Sequence, residues 1–291
     1  MRRTRDSSPG LARLVKAALA LGVAGCSFQP AGQATDGGQA ADAAEDAGDA
    51  GDAAGPDAPP GGALCAAPSG DLLLCLSFDG GGAANEAAGG VQPMLETGTA
   101  VVGRVGQGRG FDGTQGMWWP DAAPVGTFDL QAPFTLEMFV MYTTDPPHTG
   151  PPGDQRSGLL DANGQYSMFL GWHDPDGAGP LPEQVTPYCN INGTVWGAPI
   201  SRDRWHHVAC VFDDVAAAFT MYVDGVPGET RATATPVQTG NTDGLTLAQD
   251  CTNLSSAGAV EDGLTGGLDE VRLWRVARTP AQILAAAQRG Q

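Results

Sequence analysis

The stretch WHHVACVFDDVAAAFTMYVDGV, Trp205–Val226, decides the fold of this chain. Its first part, Trp205–Phe212, is rich in β-branched and aromatic residues and ends at Asp213-Asp214, a pair that favours a turn. The following residues alternate between apolar and polar, as in a half-buried strand. Asp224-Gly225 then supplies the positive φ that a tight hairpin turn needs, so a third strand should fold back after it. The stretch therefore predicts an antiparallel β-meander.

Other motifs follow in order along the chain. They are a first strand at Leu72–Phe78 that runs into Asp79-Gly80, a glycine-rich GRVGQGRGFDG at Gly103–Gly113, an alternating FTLEMFVM at Phe134–Met141, and GGLDEVRLW at Gly266–Trp274. Together with the meander, they resemble the laminin G-like jelly rolls of the concanavalin A-like lectin and glucanase superfamily. The resemblance implies an all-β fold, a two-sheet antiparallel jelly-roll sandwich, whose first strand has its partner within Gly103–Gly113.

The residues around these motifs complete the expected domain. Gly158–Asp161 and Tyr166–Trp172 read as two strands, whereas the Pro- and Gly-rich Asp145–Ser157 reads as a loop. Thr279-Pro280-Ala281-Gln282 has the N-cap, the N1 proline and the N3 glutamine of a capping box, so it predicts a short C-terminal helix.

The first 25 residues predict an exported protein. A basic leader precedes the short apolar run Ala17–Ala24, which suits a signal peptide and is too short to span a bilayer. Residues 23–26, Val-Ala-Gly-Cys, resemble the lipobox of bacterial lipoproteins, which implies lipid attachment at Cys26. The serine that follows implies, by the same resemblance, transfer to the outer membrane.

Residues 26–64 are expected to be a disordered linker, and residues 65–291 the sandwich domain. The linker is rich in Ala, Gly and Asp and lacks Lys and Arg, so it cannot bury a core. After residue 25 the chain has 10 arginines, no lysine and 32 acidic residues. Such a charge disfavours nucleic acid and anionic lipid headgroups as partners, so membrane contact is expected through the lipid anchor alone.

The domain's cysteines also favour export. Cys189 lies shortly before the Trp205 strand, and if its own strand is an antiparallel neighbour, a cross-strand disulfide with Cys210 is easy to form. Cys65 and Cys75 flank a Pro-Ser-Gly-Asp turn and could close a small loop. Cys251 then has no assigned partner.

No catalytic constellation is evident, so an enzyme is not expected. Sandwich glucanases need two carboxylates close together, but Asp269 and Glu270 are adjacent and should point to opposite faces of a strand. A divergent glycoside hydrolase is the less favoured alternative, and Glu137 would be its best candidate for a catalytic carboxylate. His206 and His207 are expected to be satisfied polar residues at a strand start, and no Ser/His/Asp signal is found.

The resemblance also implies a structural Ca²⁺ ion where the first strand, the second Phe-Asp-Gly loop and the last strand meet. By motif position its ligands would be Asp79, Asp112, the Gly113 carbonyl and Asp269. Alternatively, these aspartates cap tight turns without a metal. Residues 173–177, His-Asp-Pro-Asp-Gly, are a poorer second candidate.

Three tryptophans could stack on sugar rings: Trp118, Trp172 and Trp196. Trp118 and Trp119 must face opposite ways, so one of them belongs to the core. The sequence thus favours a surface-displayed recognition module that binds a glycan or an extracellular protein. The alternative is an envelope structural or adhesion lipoprotein without a small-molecule ligand.

Overall fold

The computed structural model describes residues 65, 70–87, 90–120, 127–130, 133–148, 155–162, 165–173, 184–233, 244–250 and 260–290. Within these ranges the strands are β1 (Leu72–Leu76), β2 (Leu95–Glu96), β3 (Thr99–Val102), β4 (Gln107–Asp112), β5 (Met117–Trp119), β6 (Phe134–Tyr142), β7 (Arg156–Ala162), β8 (Tyr166–His173), β9 (Gln184–Asn190), β10 (Thr194–Trp196), β11 (His206–Asp213), β12 (Ala218–Val223), β13 (Val226–Ala232), β14 (Leu245–Leu247) and β15 (Thr265–Trp274). The helix is α1 (Pro280–Ala287). Cys26, the linker and Cys251 lie outside the described residues.

The strands form two antiparallel sheets. Sheet 1 has the order β13-β12-β11-β6-β15-β4-β3, with β1 paired to β15, and sheet 2 has the order β10-β9-β8-β7-β14-β5-β2. This arrangement confirms the predicted all-β sandwich with a short C-terminal helix. The described residues include no helix with the length and apolar character needed to cross a membrane.

The predicted meander is confirmed as β11-β12-β13. Phe212 pairs with Phe219 and Val208 with Val223, and the following turn has the expected positive φ at both Asp224 and Gly225. On its other side β11 pairs with β6, which places the meander against the middle of sheet 1. Two-residue periodicity and turn chemistry are local signals, which is why the sequence predicts this part well.

The main core lies between the sheets and takes alternate residues of each strand. On β6 these are Phe134, Leu136, Met138 and Val140. The residues between them are also largely buried, because the outer face of sheet 1 is covered by the C-terminal segment. Ile283 of α1 packs there against Ala209 and Val211, and the capping box predicted at Thr279 is present.

Both predicted disulfides are present, but one joins different elements than expected. Cys189 and Cys210 are bonded, with their Cα atoms 6.2 Å apart. Cys189 lies on β9 of sheet 2 and Cys210 on β11 of sheet 1, so the bond crosses the core and the predicted cross-strand pairing is wrong. Cys65 and Cys75 are bonded as predicted.

The last strand, β15, organises sheet 1. One of its edges pairs with β6, while the other pairs with β4 at Thr265–Leu268 and with β1 beyond residue 270. The partner of β1 is therefore β15, and the expectation that it lies within Gly103–Gly113 is wrong. A bulge interrupts β15 between Asp269 and Arg272, where Glu270 has φ of 50°. The bulge faces the gap between β1 and β4.

Candidate functional site

The three predicted ligand-binding tryptophans do not form one site. Trp196 lies on the outer face of sheet 2, at the end of β10. Trp172 packs against the main core and donates its Nε1 hydrogen to the Pro146 carbonyl at 3.1 Å, so it takes a structural position. Trp118 shares the outer face with Trp196 but lies on β5, five strand spacings or about 24 Å away. Trp119, which follows Trp118 and faces the opposite way, is fully buried, so it is the one of the two that belongs to the core.

An aromatic row crosses the outer face of sheet 2 and ends at Trp196. Phe169, Tyr188 and Trp196 are paired in register across β8, β9 and β10. Their ring centroids are 5.5 Å apart for the first pair and 4.4 Å for the second. His173 stacks on Trp196 with centroids 4.3 Å apart and planes 4° from parallel. Trp196 and His173 are both partly exposed, so this end of the row is accessible.

Gly171 makes the packing of this row possible. It lies on β8 between Phe169 and His173, on the same face. A Cβ atom at Gly171 would lie 2.8 Å from the Tyr188 ring and 3.5 Å from the Trp196 ring. The missing side chain therefore leaves room for both rings to lie close to the sheet.

Arg156 covers the other end of the row. Its guanidinium carbon lies 4.3 Å from the centre of the Phe169 ring, which is a cation–π contact. Its Nε donates to Asp262 Oδ2 at 2.7 Å, and its Nη2 donates to Asp250. Burial alone would lower the pKa of Arg156, but the charge of Asp250 outweighs burial and raises that pKa further above its ordinary value. Burial also raises the pKa of the Tyr188 hydroxyl, so that group stays neutral.

Glu137, the predicted residual catalytic carboxylate, lies on the opposite side of the molecule beneath the C-terminal segment. It is fully buried and accepts hydrogen bonds from Trp274 Nε1 at 2.7 Å and from Arg278. Arg272 Nε lies 3.2 Å from it. Burial alone would raise the pKa of Glu137, but the charges of Arg272 and Arg278 hold it well below its ordinary range. The carboxylate is therefore ionised and inaccessible, which suits an ion pair and not an acid catalyst.

The two histidines at the start of β11 differ in their surroundings. His207 is fully buried and its ring nitrogens have no hydrogen-bond partner, contrary to the expectation that it would be satisfied. Burial lowers its pKa and keeps it neutral, and its Nε2 lies 3.6 Å from Glu137. His206 is hydrogen-bonded as expected, because its Nδ1 lies 2.8 Å from Asp224 Oδ2.

The contacts of His206 also create a Ser-His-Asp alignment that the sequence did not reveal. Ser201 Oγ lies 3.0 Å from His206 Nε2, but the Ser201 backbone N–H donates to the same nitrogen at 3.2 Å. With the proton on Nδ1 beside the carboxylate, Nε2 is an acceptor already used by a backbone amide. Despite opposing burial, hydrogen bonds from His206 and from the His207 N–H hold the pKa of Asp224 below its ordinary value. The alignment thus fastens the loop before β11 to the β12–β13 turn.

The predicted calcium ligands are only partly brought together. Asp79 Oδ1 accepts from the Gln107 N–H and Asp269 Oδ2 from the Val105 N–H, each at 2.8 Å, so both flank the turn before β4. Asp112 lies at the other end of β4, opposite Thr265, about 13 Å along the strand from Asp269. Asp112 is exposed, and the Thr114 hydroxyl, with help from its N–H, lowers its pKa.

Asp112 and Gly113 therefore form a turn of their own. Gly113 has φ of 84° and its N–H donates to the Leu264 carbonyl at 2.9 Å. The two residues cannot share one ion with Asp269 over that distance. Asp112 Oδ1 accepts hydrogen bonds from the Thr114 N–H and hydroxyl, as an aspartate that caps a turn does.

Glu270, which was not among the predicted ligands, lies beside Asp269 because of the bulge in β15. Both carboxyl groups are buried, so the strict alternation expected for these adjacent residues fails here. Asp269 Oδ1 and Glu270 Oε2 have no hydrogen-bond partner. Burial raises the pKa of Asp269 to about 7 and raises that of Glu270 as well. Two buried carboxyl oxygens without a hydrogen-bond partner are hard ligands of the kind that a cation such as Ca²⁺ prefers. In the described ranges, however, no group of three or more His, Cys, Asp or Glu side chains is arranged to hold a metal ion.

The family model of the concanavalin A-like lectin/glucanases superfamily, in its laminin G form, matches residues 111–284. The chain belongs to this superfamily. Among proteins of curated function, none matches it. The matched span begins at the end of β4 and ends within α1, so it includes the aromatic row, Arg156 and the bulge of β15.

Solved structures support the superfamily fold. Domain 4 of AbnA, an extracellular GH43 arabinanase from Geobacillus stearothermophilus solved with arabinotriose, aligns with 75% of this chain and 98% of its own, at 18% identity and a TM-score of 0.50. The binding domain of Paraclostridial Mosquitocidal Protein 1 aligns with 75% of this chain and 52% of its own, at 10% identity and a TM-score of 0.55. At these identities the likeness establishes the fold alone.

For this superfamily member, the sequence missed three residues that the structure brings into the candidate sites. Arg156 falls in the segment expected to be a loop, whereas β7 already begins there. His173 was considered only as part of the second calcium candidate, residues 173–177, but it is the last residue of β8. Glu270 was expected to face away from Asp269. Of the residues in the aromatic row, the sequence singled out only Trp196.

Proposed function

We propose that this protein is a non-catalytic, lectin-like module that binds carbohydrate on the outer face of sheet 2, at the Trp196 end of the aromatic row. The observation that carries the proposal is the stacked and partly exposed pair His173 and Trp196, with the ring of Tyr188 packed against Trp196. Flat aromatic surfaces beside polar groups are the usual means of holding the apolar face of a sugar ring.

Polar groups surround this pair in a suitable way. Asn190 and Thr194 lie next to the row, where their side chains are 2.5 Å apart and partly exposed. Glu229 Oε2 accepts the Trp196 backbone N–H at 3.0 Å and fixes the end of β10. These groups can donate to or accept from sugar hydroxyls while the aromatic pair excludes water.

One structural neighbour is in keeping with this function. The arabinanase domain is described in complex with arabinotriose. Arabinotriose therefore serves as the first probe of the site.

The test is a glycan array that includes arabinotriose, followed by calorimetry with the best ligand. Trp196→Ala should weaken binding at least tenfold, since truncating an aromatic anchor at the centre of a site costs about 2 kcal/mol or more. Trp118→Ala is the matched control, because it removes a partly exposed tryptophan from the same face about 24 Å away. Equal losses in the two variants, or no loss in Trp196→Ala, would contradict the location.

The non-catalytic part of the proposal rests on two arrangements. Glu137 is ionised, buried and paired with two arginines, and His206 has its acceptor nitrogen occupied by a backbone amide. Neither provides a group that could transfer a proton to a substrate.

We further propose that the module is carried on a lipoprotein anchored through Cys26, on the basis of residues 1–26 of the sequence. The two disulfides are consistent with an extracytoplasmic compartment. The acyl chains would hold the domain at the membrane, and the outer membrane is the expected site.

A calcium ion, if bound, would be held at the bulge of β15. Asp269 and Glu270 would supply the buried oxygens and Asp79 would lie across the turn, while Asp112 and Gly113 are excluded by distance. The ion would neutralise the two carboxylates and tie the last strand to the segment between β1 and β4. Its role would be stabilisation of the native state.

A further inference from the structure

The charges around the aromatic row suggest which glycans the site accepts. Arg156 is the cation in contact with the row, and it is held between two carboxylates, Asp250 and Asp262. Its side chain is only 12% exposed. An anionic sugar would therefore have to compete with two ion pairs that are already formed and largely shielded from water.

Among the residues that the structure describes, the Trp196 end of the row carries one acidic and one basic residue, Glu229 and Arg231. Glu229 lies against Trp196 through the backbone N–H of that residue. Arg231, two residues later on β13, lies beside Gly193 in the turn before β10, where a Cβ atom would come within 2.8 Å of its guanidinium carbon. The five charged groups around the row thus carry one more negative than positive charge.

The rest of the domain adds to this field. Residues 65–291 contain 10 arginines and no lysine against 25 Asp and Glu residues. A sulfate or carboxylate group that approaches the row is repelled at long range, and the cation in contact with the row, Arg156, is already paired with two carboxylates. A neutral sugar loses nothing by either effect.

We infer that the site selects neutral glycans and discriminates against sulfated, uronic acid and sialylated ones. This inference rests on the proposed carbohydrate-binding function of the same face. The paired Arg156 acts as a positioning residue that supports Phe169, and Asp250 and Asp262 keep its charge from attracting anions.

The experiment uses matched pairs of immobilised oligosaccharides that differ only by a sulfate or a carboxylate, with the purified domain in 20 mM and 150 mM salt. Neutral members should bind at least tenfold more tightly than their anionic counterparts at low salt, and the ratio should fall as salt screens the repulsion. Equal or tighter binding of the anionic members would overturn the inference and leave the proposed function standing. Binding to no glycan would overturn both.

A charge variant tests the cause of the selectivity. Asp262→Asn removes one carboxylate from Arg156 and keeps the shape of the side chain. The affinity ratio of anionic to neutral ligand should rise by about tenfold, whatever the change in overall affinity. Asp213→Asn, at a partly exposed residue that ends β11 in the other sheet, serves as the control for total charge. If both variants raise the ratio equally, the selectivity comes from net charge and not from the site, and the inference is wrong.

Discussion

The buried carboxyl of Asp269 should make the metal-free domain less stable as the pH rises from about 4 to 7. Burial raises its pKa to about 7 in the folded state, from an ordinary value of 3.8. Between these values the unfolded chain releases the proton and the folded chain keeps it, so stability falls as the pH increases. The loss is complete above pH 7 and, at 1.36 kcal/mol for each pKa unit, amounts to about 4 kcal/mol.

Asp269→Asn should remove the part of the pH dependence that comes from Asp269 and leave the part that comes from Glu270, whose pKa burial also raises. The asparagine oxygen can still accept the Val105 N–H, which Asp269 accepts at 2.8 Å, and the neutral amide has no charge to bury. The free energy of unfolding, measured with urea from pH 4 to pH 8 in the presence of a chelator and without reductant, should therefore be similar for both proteins at pH 4. At pH 8 the variant should exceed the wild type by up to about 4 kcal/mol. Parallel curves would refute the reasoning.

The effect of calcium on stability can be measured with the same two proteins, the wild type and Asp269→Asn. If the ion is held by Asp269 and Glu270, it should stabilise the wild type at pH 8 and have little effect on Asp269→Asn. A concentration a hundred times the dissociation constant adds about 2.7 kcal/mol. Asp112→Asn is the control: its carboxylate is exposed, and because hydrogen bonds from Thr114 lower its pKa from 3.8, it stays ionised from pH 4 to pH 8 and adds no pH dependence in that range. A calcium effect that disappears with Asp112 instead would restore the ligand set expected from the sequence.

Three further predictions concern the core and the anchor. Replacing Cys189 and Cys210 by serine should lower the free energy of unfolding by about 3 kcal/mol, because the loop they close spans 21 residues; chemical denaturation of the oxidised wild type and the double variant measures this. Glu137→Ala should cost about 3–5 kcal/mol, since it leaves Arg272 buried without its carboxylate, and a loss below 1 kcal/mol in thermal unfolding would contradict the ion pair. Cys26→Ser should move the full-length protein from the detergent phase to the aqueous phase, and unchanged partitioning would exclude lipid attachment there.

Local patterns in the sequence predict the strands well and their neighbours poorly. The meander follows from alternation and from Asp224-Gly225, and both features are contained in a few adjacent residues. The prediction that Cys189 and Cys210 are bonded was right, but the prediction that they lie on neighbouring strands was wrong. Which sheet a strand joins depends on contacts between residues far apart in the chain. The same limitation explains why β1 was assigned a partner other than β15.

The candidate glycan site was predictable only in part for a related reason. Trp196 is visible as an aromatic residue in a short strand, but its stacking partner His173 lies 23 positions earlier and meets it only because β8, β9 and β10 are neighbours. Arg156 was hidden by the Pro- and Gly-rich segment before it, which favours a loop up to the residue where β7 begins. Gly171 carries no chemical signal at all, although the row could not pack with a side chain there.

The bulge in β15 explains why the positions of Asp269 and Glu270 could not be predicted from the sequence. An undisturbed strand would place Asp269 and Glu270 on opposite faces, one of them toward the apolar core. The extra residue instead lets Leu268 and Val271 both enter the core, while Asp269 and Glu270 stay at the gap between β1 and β4. A bulge with positive φ at a glutamate is costly, and such strain persists where the surrounding structure holds it in place. Asp269 Oδ1 and Glu270 Oε2 have no hydrogen-bond partner at this bulge, and cation binding there stays a prediction that the chelator experiment tests.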